Sequence, residues 1–421
     1  MGLGYLKVET RTLNDILPVM DVAVIIKDND GNVLYRLKTD KSGVTPLVEL
    51  EAPEKRHTLS PNYSGPYYST YNVEVSKEKF VTKILKGIQV FDTITSRLPV
   101  IMIPKPLDSG NIVDVTEIPD IELYSKEARK QQESEIEETR NNEIVIPEHV
   151  IVHLGNPEDM ARNIKVRFID YIKNVVSGEI YPTWPKDSLE ANIYAITTFT
   201  LHRLFSKHYR NMGYNFDITN SIIHDQAFTE GRSIAENVEK LVNEVFSLYV
   251  GIVESKEPLF TKYCNGITKD CQGLSKWETV YLSNKGLNPI QIIRNYYPKE
   301  IEIMKVGNIN KTMESIEKLN ELSKEGRSIN IDGALKNTVL KLGIEGEEVS
   351  ILQFLLTYIS LFYNAISTVT RNGIFDDDTK SAVIGFQKLF GLTTDGIVGE
   401  DTWAILKNAY KGIIETIINV K

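Results

Sequence analysis

Apolar and polar residues alternate along the first hundred residues, which is the period of a half-buried β-strand. One alternating run covers residues 22–27 and a second covers residues 33–38, and a turn signal at 29–32 separates them. A second turn signal follows at 40–43, and further alternating runs end near Phe91. Short strands at this spacing predict a small β-sandwich, here called the pre-domain, over residues 1–125.

The period changes after Pro185, where apolar residues recur every three or four positions from Leu189 to Leu204. Pro185 suits a first helical turn, and Asp187 suits the positive end of the helix dipole. This pattern predicts a long amphipathic helix with one buried face. Strand signals before it and helical signals after it predict an α+β central domain over residues 150–300.

Two polar segments separate the predicted domains. Residues 126–143 contain ten charged residues out of 18 and no aromatic residue, so they cannot bury enough apolar surface to fold alone. We expect residues 126–149 to be an exposed joint that proteases can cut, with Arg129 and Lys130 as a basic cluster. Residues 301–336 are also polar and predict a linker.

The C-terminal part, residues 337–421, contains an internal repeat. Residues 372–379 recur in related form 23 positions later, at 395–402. Each copy has a glycine, Gly373 or Gly396, at a position suited to positive φ, and then an Asp-Thr pair that suits a helix start. Two turns that each lead into a helix predict a three-helix recognition module rather than an enzyme.

Composition and charge exclude several classes of protein. The 421 residues carry a net charge of −9, so a general electrostatic attraction to nucleic acid is not expected. No apolar run reaches the length of about 18 residues that spans a membrane, and the first residues lack the pattern of a secretory signal. Two cysteines cannot supply a disulfide framework or an all-cysteine zinc site.

Glu179 is the candidate catalytic residue. It follows the apolar residues Tyr171, Ile172, Val175 and Val176 and precedes an aromatic loop at 181–185. A carboxyl group at such an apolar edge should have a raised pKa, and a carboxylic acid that stays protonated near neutral pH can protonate a glycosidic oxygen. The alternative is a surface glutamate that caps the next helix.

A metal site is a weaker possibility. His224, Cys264 and Cys271 could together bind zinc, but a full ligand set at the usual spacing is missing. Buried cysteines without a metal fit this spacing better. We therefore expect no metal and no cofactor.

Residues 171–180, with Glu179 near their end, and residues 188–192 resemble the sporulation stage II D, or amidase-enhancer, domain. That family carries a Val-Val-x-x-Glu-Met-Pro motif. Three downstream runs also resemble it: residues 225–231, 273–277 (where a Gly-x-Ser-Gln-Tyr/Trp motif is expected) and 292–298. The departures include Asp225 in place of the family's cysteine, which puts the zinc site of the sporulation relative in doubt. The resemblance implies Glu179 as the catalytic residue and a substrate-binding set of Gln226, Ser275, Trp277 and Tyr296.

Residues 346–353, 372–392 and 395–403 resemble the peptidoglycan-binding type 1 domain. With a β-rich N-terminal part and a charged joint, the whole arrangement is similar to that of clostridial spore cortex-lytic enzymes. The resemblance implies a zymogen, made in the mother cell without a signal peptide, deposited in the cortex and coat region of the spore and activated by a subtilisin-like germination protease. It implies cleavage of cortex peptidoglycan by a lytic transglycosylase. The alternatives are a non-catalytic enhancer of an amidase, or an N-acetylmuramoyl-L-alanine amidase.

Overall fold

The computed structural model describes residues 1–12, 17–105, 110–121, 123, 144–264, 273–297, 300–306, 308–309, 339–360, 366–367, 369–390 and 392–418. The predicted cleavage cluster, Arg129 and Lys130, lies outside these residues, as does Cys271. The predicted mixed α+β class, with several sheets and a helical C-terminal region, is confirmed. No described helix combines the length and the apolar content needed to cross a membrane.

The pre-domain consists of two sheets that pack on one core. Its nine strands are β1 Gly2–Thr12, β2 Leu17–Pro18, β3 Ala23–Lys27, β4 Val33–Lys38, β5 Val48–Ala52, β6 Ser69–Ser76, β7 Thr82–Val90, β8 Thr95–Met102 and β9 Val113–Glu117. One sheet has the order β4-β3-β6-β7-β9, and in the other β1 lies between the parallel β8 and the antiparallel β2 and β5. Alternate side chains such as Leu6, Val8, Val24 and Ile26 are fully buried between the sheets, as the period of two requires. A short 3₁₀ helix, Lys55–Leu59, follows strand β5.

The central domain places helices on several small sheets. Its strands are β10 Val145–Ile146, β11 His149–His153, β12 Asn163–Arg167, β13 Ile218–Thr219, β14 Ile234–Ala235, β15 Leu248–Ile252, β16 Tyr263–Cys264, β17 Leu274–Ser275, β18 Ile301–Lys305 and β19 Asn308–Ile309. Its helices are α1 Phe168–Glu179, α2 Lys186–Phe205, α3 His208–Asn211, α4 Glu236–Val245, α5 Lys276–Asn284 and α6 Pro289–Ile293. Strands β18 and β19 start in the predicted linker of residues 301–336, yet β18 pairs with β15 and β19 with β10.

Helix α2 differs from its prediction. Nearly every residue from Ser188 to Arg203 is buried, so the prediction of a single buried face is wrong. The helix lies among α1, α4, α5, α6 and β15, and tertiary partners satisfy its polar side chains. Asn192 donates to Thr279 Oγ1 at 2.9 Å, and Thr198 Oγ1 accepts from the Val250 N–H at 2.8 Å. Polar residues with such partners can occupy a core helix without a large cost.

The pre-domain and the central domain are in direct contact, through a shared sheet and a shared apolar core. Strand β14 adds to the edge of the pre-domain sheet, where Ile234 pairs with Arg97 and Ala235 with Ser96 in antiparallel register. Phe91, Ile121 and Leu123 belong to the same buried cluster as the helices of the central domain. The two predicted units therefore form one packed body along this border.

The C-terminal domain has three described helices, α7 Glu347–Ser360, α8 Asp377–Leu389 and α9 Glu400–Ile418. Both predicted glycine turns are confirmed, since Gly373 has φ of 72° and Gly396 has φ of 73°. Asp376 caps α8 by accepting from the Thr379 N–H at 2.8 Å. The helices enclose a separate apolar core.

One buried glutamine fixes each of the two turns. Gln353 accepts from the Gly373 N–H at 2.9 Å and donates to the Ile374 carbonyl at 2.9 Å. Gln387 does the same in the second copy, where it accepts from the Gly396 N–H at 2.8 Å and donates to the Ile397 carbonyl at 2.8 Å. The sequence repeat is thus a repeat of hydrogen bonds around a glutamine side chain.

Candidate active site

Glu179 is the last residue of helix α1, and its carboxylate is 1 % exposed. Its Oε1 accepts from the Ala227 N–H at 2.8 Å and from the Tyr263 hydroxyl at 3.3 Å. Its Oε2 accepts from Lys276 Nζ at 2.7 Å. Burial favours the neutral acid, whereas these three donors favour the carboxylate. The alternative of a surface helix cap is excluded by the burial.

Gly178 allows the loop of Ala227 to approach. A Cβ atom at position 178 would lie 2.6 Å from the Ala227 carbonyl oxygen, which is closer than real Cβ contacts. The side chain of Asn174, one turn earlier in α1, accepts from the Thr229 N–H at 2.9 Å and donates to the Thr229 carbonyl at 2.8 Å. Helix α1 therefore holds this loop at two points, and one of them brings a backbone N–H to Glu179.

Gln226 lies next to this loop contact, but its side chain faces the core. Its Oε1 accepts from the Tyr171 hydroxyl at 3.0 Å and from Thr200 Oγ1 at 2.7 Å, and its Nε2 donates to the Ile196 carbonyl at 3.0 Å. The side-chain amide of Gln226 is therefore hydrogen-bonded to other protein groups and does not face a substrate. This geometry fits a residue that positions the loop.

Ser275 and Trp277 belong to the start of helix α5, and Tyr296 lies near the same helix. Ser275 is its N-cap and accepts from the Glu278 N–H. Trp277 lies 6.0 Å from Tyr181 and 5.3 Å from Trp184, centroid to centroid, in an aromatic group beside Glu179. Burial and the charge of Glu278 raise the pKa of Tyr296. The structure thus brings Ser275 and Trp277 close to Glu179 through their shared neighbour Lys276, and it places Tyr296 beside the same helix.

Lys276, Tyr263 and the Ala227 N–H are the contacts that sequence reasoning missed. Lys276 stands where the stage II D motif has glutamine, and this departure from the motif is the feature of the sequence that could have drawn attention to it. Tyr263 carried no signal beyond being aromatic.

Asp225, at the position of the family's cysteine, does not suit a zinc ion. It accepts from Arg203 Nε at 2.9 Å, from the Tyr209 hydroxyl at 2.6 Å and from the Thr219 N–H at 2.9 Å. A buried guanidinium already balances the carboxylate, and a metal cation there would meet this positive charge. Within the described ranges, no three His, Cys, Asp or Glu side chains are arranged to hold a metal ion. The proposed partner Cys271 lies outside those ranges.

The pre-domain covers the aromatic loop that follows Glu179. The Trp184 Nε1–H donates to the Thr58 carbonyl at 2.9 Å, and the hydroxyls of Thr58 and Thr183 are hydrogen-bonded. Tyr67 packs its ring 5.2 Å from that of Tyr181. We refer to Thr58 and Tyr67 as the cover contacts.

A second set of polar contacts joins the two domains. Arg97 Nη2 lies 3.0 Å from Glu239 Oε1 on helix α4. Arg232 donates to Gln89 Oε1 at 2.9 Å, and burial lowers the pKa of Arg232 to about 10, which leaves the guanidinium charged at neutral pH. These contacts tie the pre-domain to the loop and helix that support the site.

Two family models match parts of the chain. The model of the stage II sporulation protein matches residues 158–247, which include Glu179, and the model of the peptidoglycan binding domain matches residues 345–406. The chain is therefore similar to sporulation-related and cell-wall-binding proteins, and peptidoglycan is supported as its partner. A comparison with curated proteins gives no match.

Two solved structures share local similarity with the chain. The SleB N-terminal domain is 36 % identical, with 18 % of this chain and 96 % of that chain covered and a TM-score of 0.16. The minor pilin GBS52 of Streptococcus agalactiae is 11 % identical, with 26 % of this chain and 48 % of that chain covered and a TM-score of 0.18. TM-scores of this size do not establish a shared overall fold.

Proposed function

We propose that this protein is the latent form of a lytic transglycosylase that cleaves the glycan strands of spore cortex peptidoglycan. The observation that carries the proposal is the setting of Glu179. A buried carboxylate, held by three donors beside an aromatic loop, lies within the part of the chain that matches the stage II sporulation model. Aromatic rings such as Trp277 and Trp184 suit the C–H faces of sugar rings.

Glu179 would act twice in one turnover. As an acid it gives its proton to the oxygen between muramic acid and the next glucosamine, and the C1–O bond breaks. As a carboxylate it then takes the proton of the muramic acid C6 hydroxyl, while O6 bonds to C1 and closes a 1,6-anhydro ring. No water is consumed, so one carboxylate suffices, whereas ordinary glycosidases use a pair.

We further propose that residues 1–125 keep the enzyme latent. The cover contacts close the aromatic loop, and Glu179 is almost fully buried beneath it. A subtilisin-like germination protease would cut the predicted joint of residues 126–149 on the N-terminal side of strand β10, which occupies Val145–Ile146. The spore cortex and coat region is the expected location, with synthesis in the mother cell.

The test uses the full-length protein with a recognition site for an added protease inserted within residues 126–143. Cut and uncut protein are incubated with purified cortex, and the soluble fragments are analysed by mass spectrometry. We expect anhydro-muropeptides from the cut protein alone, and none from cut Glu179→Gln. The matched control is Glu254→Gln, at an exposed position after β15, which should cleave like the parent protein. Cleavage by Glu179→Gln would overturn the assignment.

A non-catalytic enhancer of an amidase is the second candidate, and one observation favours it. Glu179 is engaged in an ion pair and is not accessible to a substrate in this state. Binding to cortex without release of any fragment, before and after the cut, would support this candidate. Release of free peptides that chelators prevent would support the third candidate, a zinc amidase that uses His224, Cys264 and Cys271.

A further inference from the structure

Lys276 is the buried cation next to Glu179. The two side chains are 2 % and 1 % exposed, and their charged atoms lie 2.7 Å apart. Lys276 is the first residue of helix α5, and its ammonium also lies 5.1 Å from the centre of the Tyr263 ring. The pair joins residues 97 positions apart in the chain.

A buried ion pair is costly to maintain. Both charges lose their hydration on burial, and an apolar pair of similar size is often as stable. A glutamine at position 276, as the stage II D motif has it, would keep a hydrogen bond at a lower cost. Because lysine readily loses its proton when it is buried, the ammonium brings a transferable proton to the site.

The other ionisable groups near the pair come from three elements. Tyr171 lies on α1, Tyr263 on β16 and Arg232 on the loop after residue 225, and the charge of Glu179 acts on both Tyr171 and Arg232. Burial raises the pKa of Tyr171 well above its ordinary value, so this phenol stays neutral. Arg232 stays charged. The Tyr263 hydroxyl also contacts Glu179, at 3.3 Å, but Lys276 makes the shorter contact, 2.7 Å, and is the charged donor that can give a proton to the carboxylate.

We propose that Lys276 is a positioning residue that stores the proton of Glu179, an inference that rests on the proposed function. In the resting pair the ammonium donates to the carboxylate. When substrate binds, the proton moves from Nζ to Oε2, which leaves a neutral amine and a neutral acid, so the net charge of the buried pair does not change. Glu179 then protonates the glycosidic oxygen, recovers a proton from the C6 hydroxyl, and returns it to the amine.

Two substitutions of Lys276 distinguish a role in storing a proton from a role as a positive charge alone. Lys276→Arg keeps a cation and a donor, but a guanidinium does not give up its proton in a protein. Lys276→Gln keeps a donor without a proton to transfer. Lys285→Gln, at an exposed position at the end of the same helix, is the matched control.

The experiment measures anhydro-muropeptide release by the cut full-length protein from pH 4 to 10. We expect Lys276→Arg to lose on the order of a hundredfold near neutral pH, the scale of general acid–base catalysis. In Lys276→Gln the ammonium is absent and Glu179 must take its proton from solvent, which it loses at a lower pH than the parent pair does, so the alkaline limb of this variant should move down by about one pH unit or more. Melting temperatures and cortex binding confirm that the variants fold, and if Lys276→Gln does not fold, Lys276→Arg decides.

Parent-like activity of Lys276→Arg, or an unchanged pH profile of Lys276→Gln, would overturn the role of Lys276. Failure of the proposed function has a different signature. Reducing ends in place of anhydro ends, or cleavage by Glu179→Gln, would remove the transglycosylase assignment whatever the variants at position 276 do.

Discussion

Thr58 and Thr183 share a buried hydrogen bond of 2.6 Å between their hydroxyls, which joins the pre-domain to the loop that follows Glu179. The same threonine, Thr58, accepts the indole N–H of Trp184 through its carbonyl. The loop that would meet a glycan strand is therefore bonded to residues of the unit that we propose to be inhibitory.

The cover contacts lead to a prediction about basal activity. Thr58→Ala combined with Tyr67→Ala removes one hydrogen bond and two ring contacts between the domains, a loss of about 2 kcal/mol in the free energy of docking. Because about 1.4 kcal/mol corresponds to a tenfold change in an equilibrium, the open fraction should rise about tenfold or more. Anhydro-muropeptide release by the uncut protein should increase in proportion.

Leu34→Ala, at an exposed position on strand β4, is the control for this double variant and should leave the uncut protein inactive. If the double variant is also inactive before the cut but active after it, the cover contacts do not hold the protein latent.

Because Arg97 and Glu239 form an ion pair between the domains, we expect the cut pre-domain to dissociate from the central domain more readily as the salt concentration rises. Both side chains keep some exposure, 19 % and 25 %, so added ions can screen the pair. Burial alone would raise the pKa of Glu239, but the charges of Arg97 and Lys173 hold it below its ordinary value. Size-exclusion chromatography of the cut protein should show release at rising NaCl concentration.

Glu239→Gln should shift that release to lower salt and flatten its salt dependence, because the charge is gone. Release that does not vary with salt in the parent protein would show that apolar packing, such as that of Phe91, controls docking instead.

The two glutamine-centred turns predict the stability of the C-terminal domain. Gln387→Ala would leave the Gly396 N–H and the Ile397 carbonyl without their internal partner, at a cost of about 2 kcal/mol. Urea unfolding should report this loss, and cortex binding should weaken with it. Lys388→Ala, at the adjacent exposed position, should change the free energy of unfolding by less than about 0.5 kcal/mol. Equal effects of the two substitutions would contradict the role of the glutamine.

His202 predicts acid sensitivity of the central domain. Burial, the charge of Arg203 and nearby His208 lower the pKa of His202 to about 4 from an ordinary value of 6.5. The unfolded chain therefore binds the proton first, so the stabilisation is complete above about pH 6.5 and is lost as the pH falls towards 4. The loss is on the order of 3 kcal/mol at 1.36 kcal/mol per pH unit.

In His202→Phe the phenyl ring can pack on Phe260 as the imidazole does. The melting temperature of this variant should fall less steeply than that of the parent protein as the pH is lowered. Above about pH 7 the melting temperatures of both proteins should run parallel, since the imidazole is then neutral in both states. Parallel curves down to pH 4 would show that another group controls acid unfolding.

Local features of the fold could be predicted from the sequence, because neighbouring residues determine them. The turn at Gly31, with φ of 89°, and the two glycine turns of the repeat each depend on a few adjacent positions. The predicted start of α8 at the Asp-Thr pair is wrong, since Asp378 and Thr379 lie inside the helix and Asp376 is its N-cap. Helix α2 shows where this local reasoning fails. Its apolar spacing predicted one buried face, but partners from distant segments allow polar residues such as Asn192 and Thr198 to be buried on the other faces.

Glu179 could be singled out from its apolar surroundings and its motif, but its partners could not. Lys276 and Tyr263 reach the carboxylate from positions 97 and 84 residues away. No local pattern encodes such contacts, since they exist only once the helices and the loop of Ala227 have packed together. The cover contacts of the pre-domain are equally remote.

Strand β14 has a consequence for what happens after the joint is cut. It completes a sheet that belongs to the pre-domain, so separation leaves the backbone groups of Arg97 and Ser96 unpaired at a new sheet edge. Such an edge can accept the same strand again. Cleavage alone would therefore give a reversible switch, and a lasting one requires the detached piece to diffuse away or to be digested.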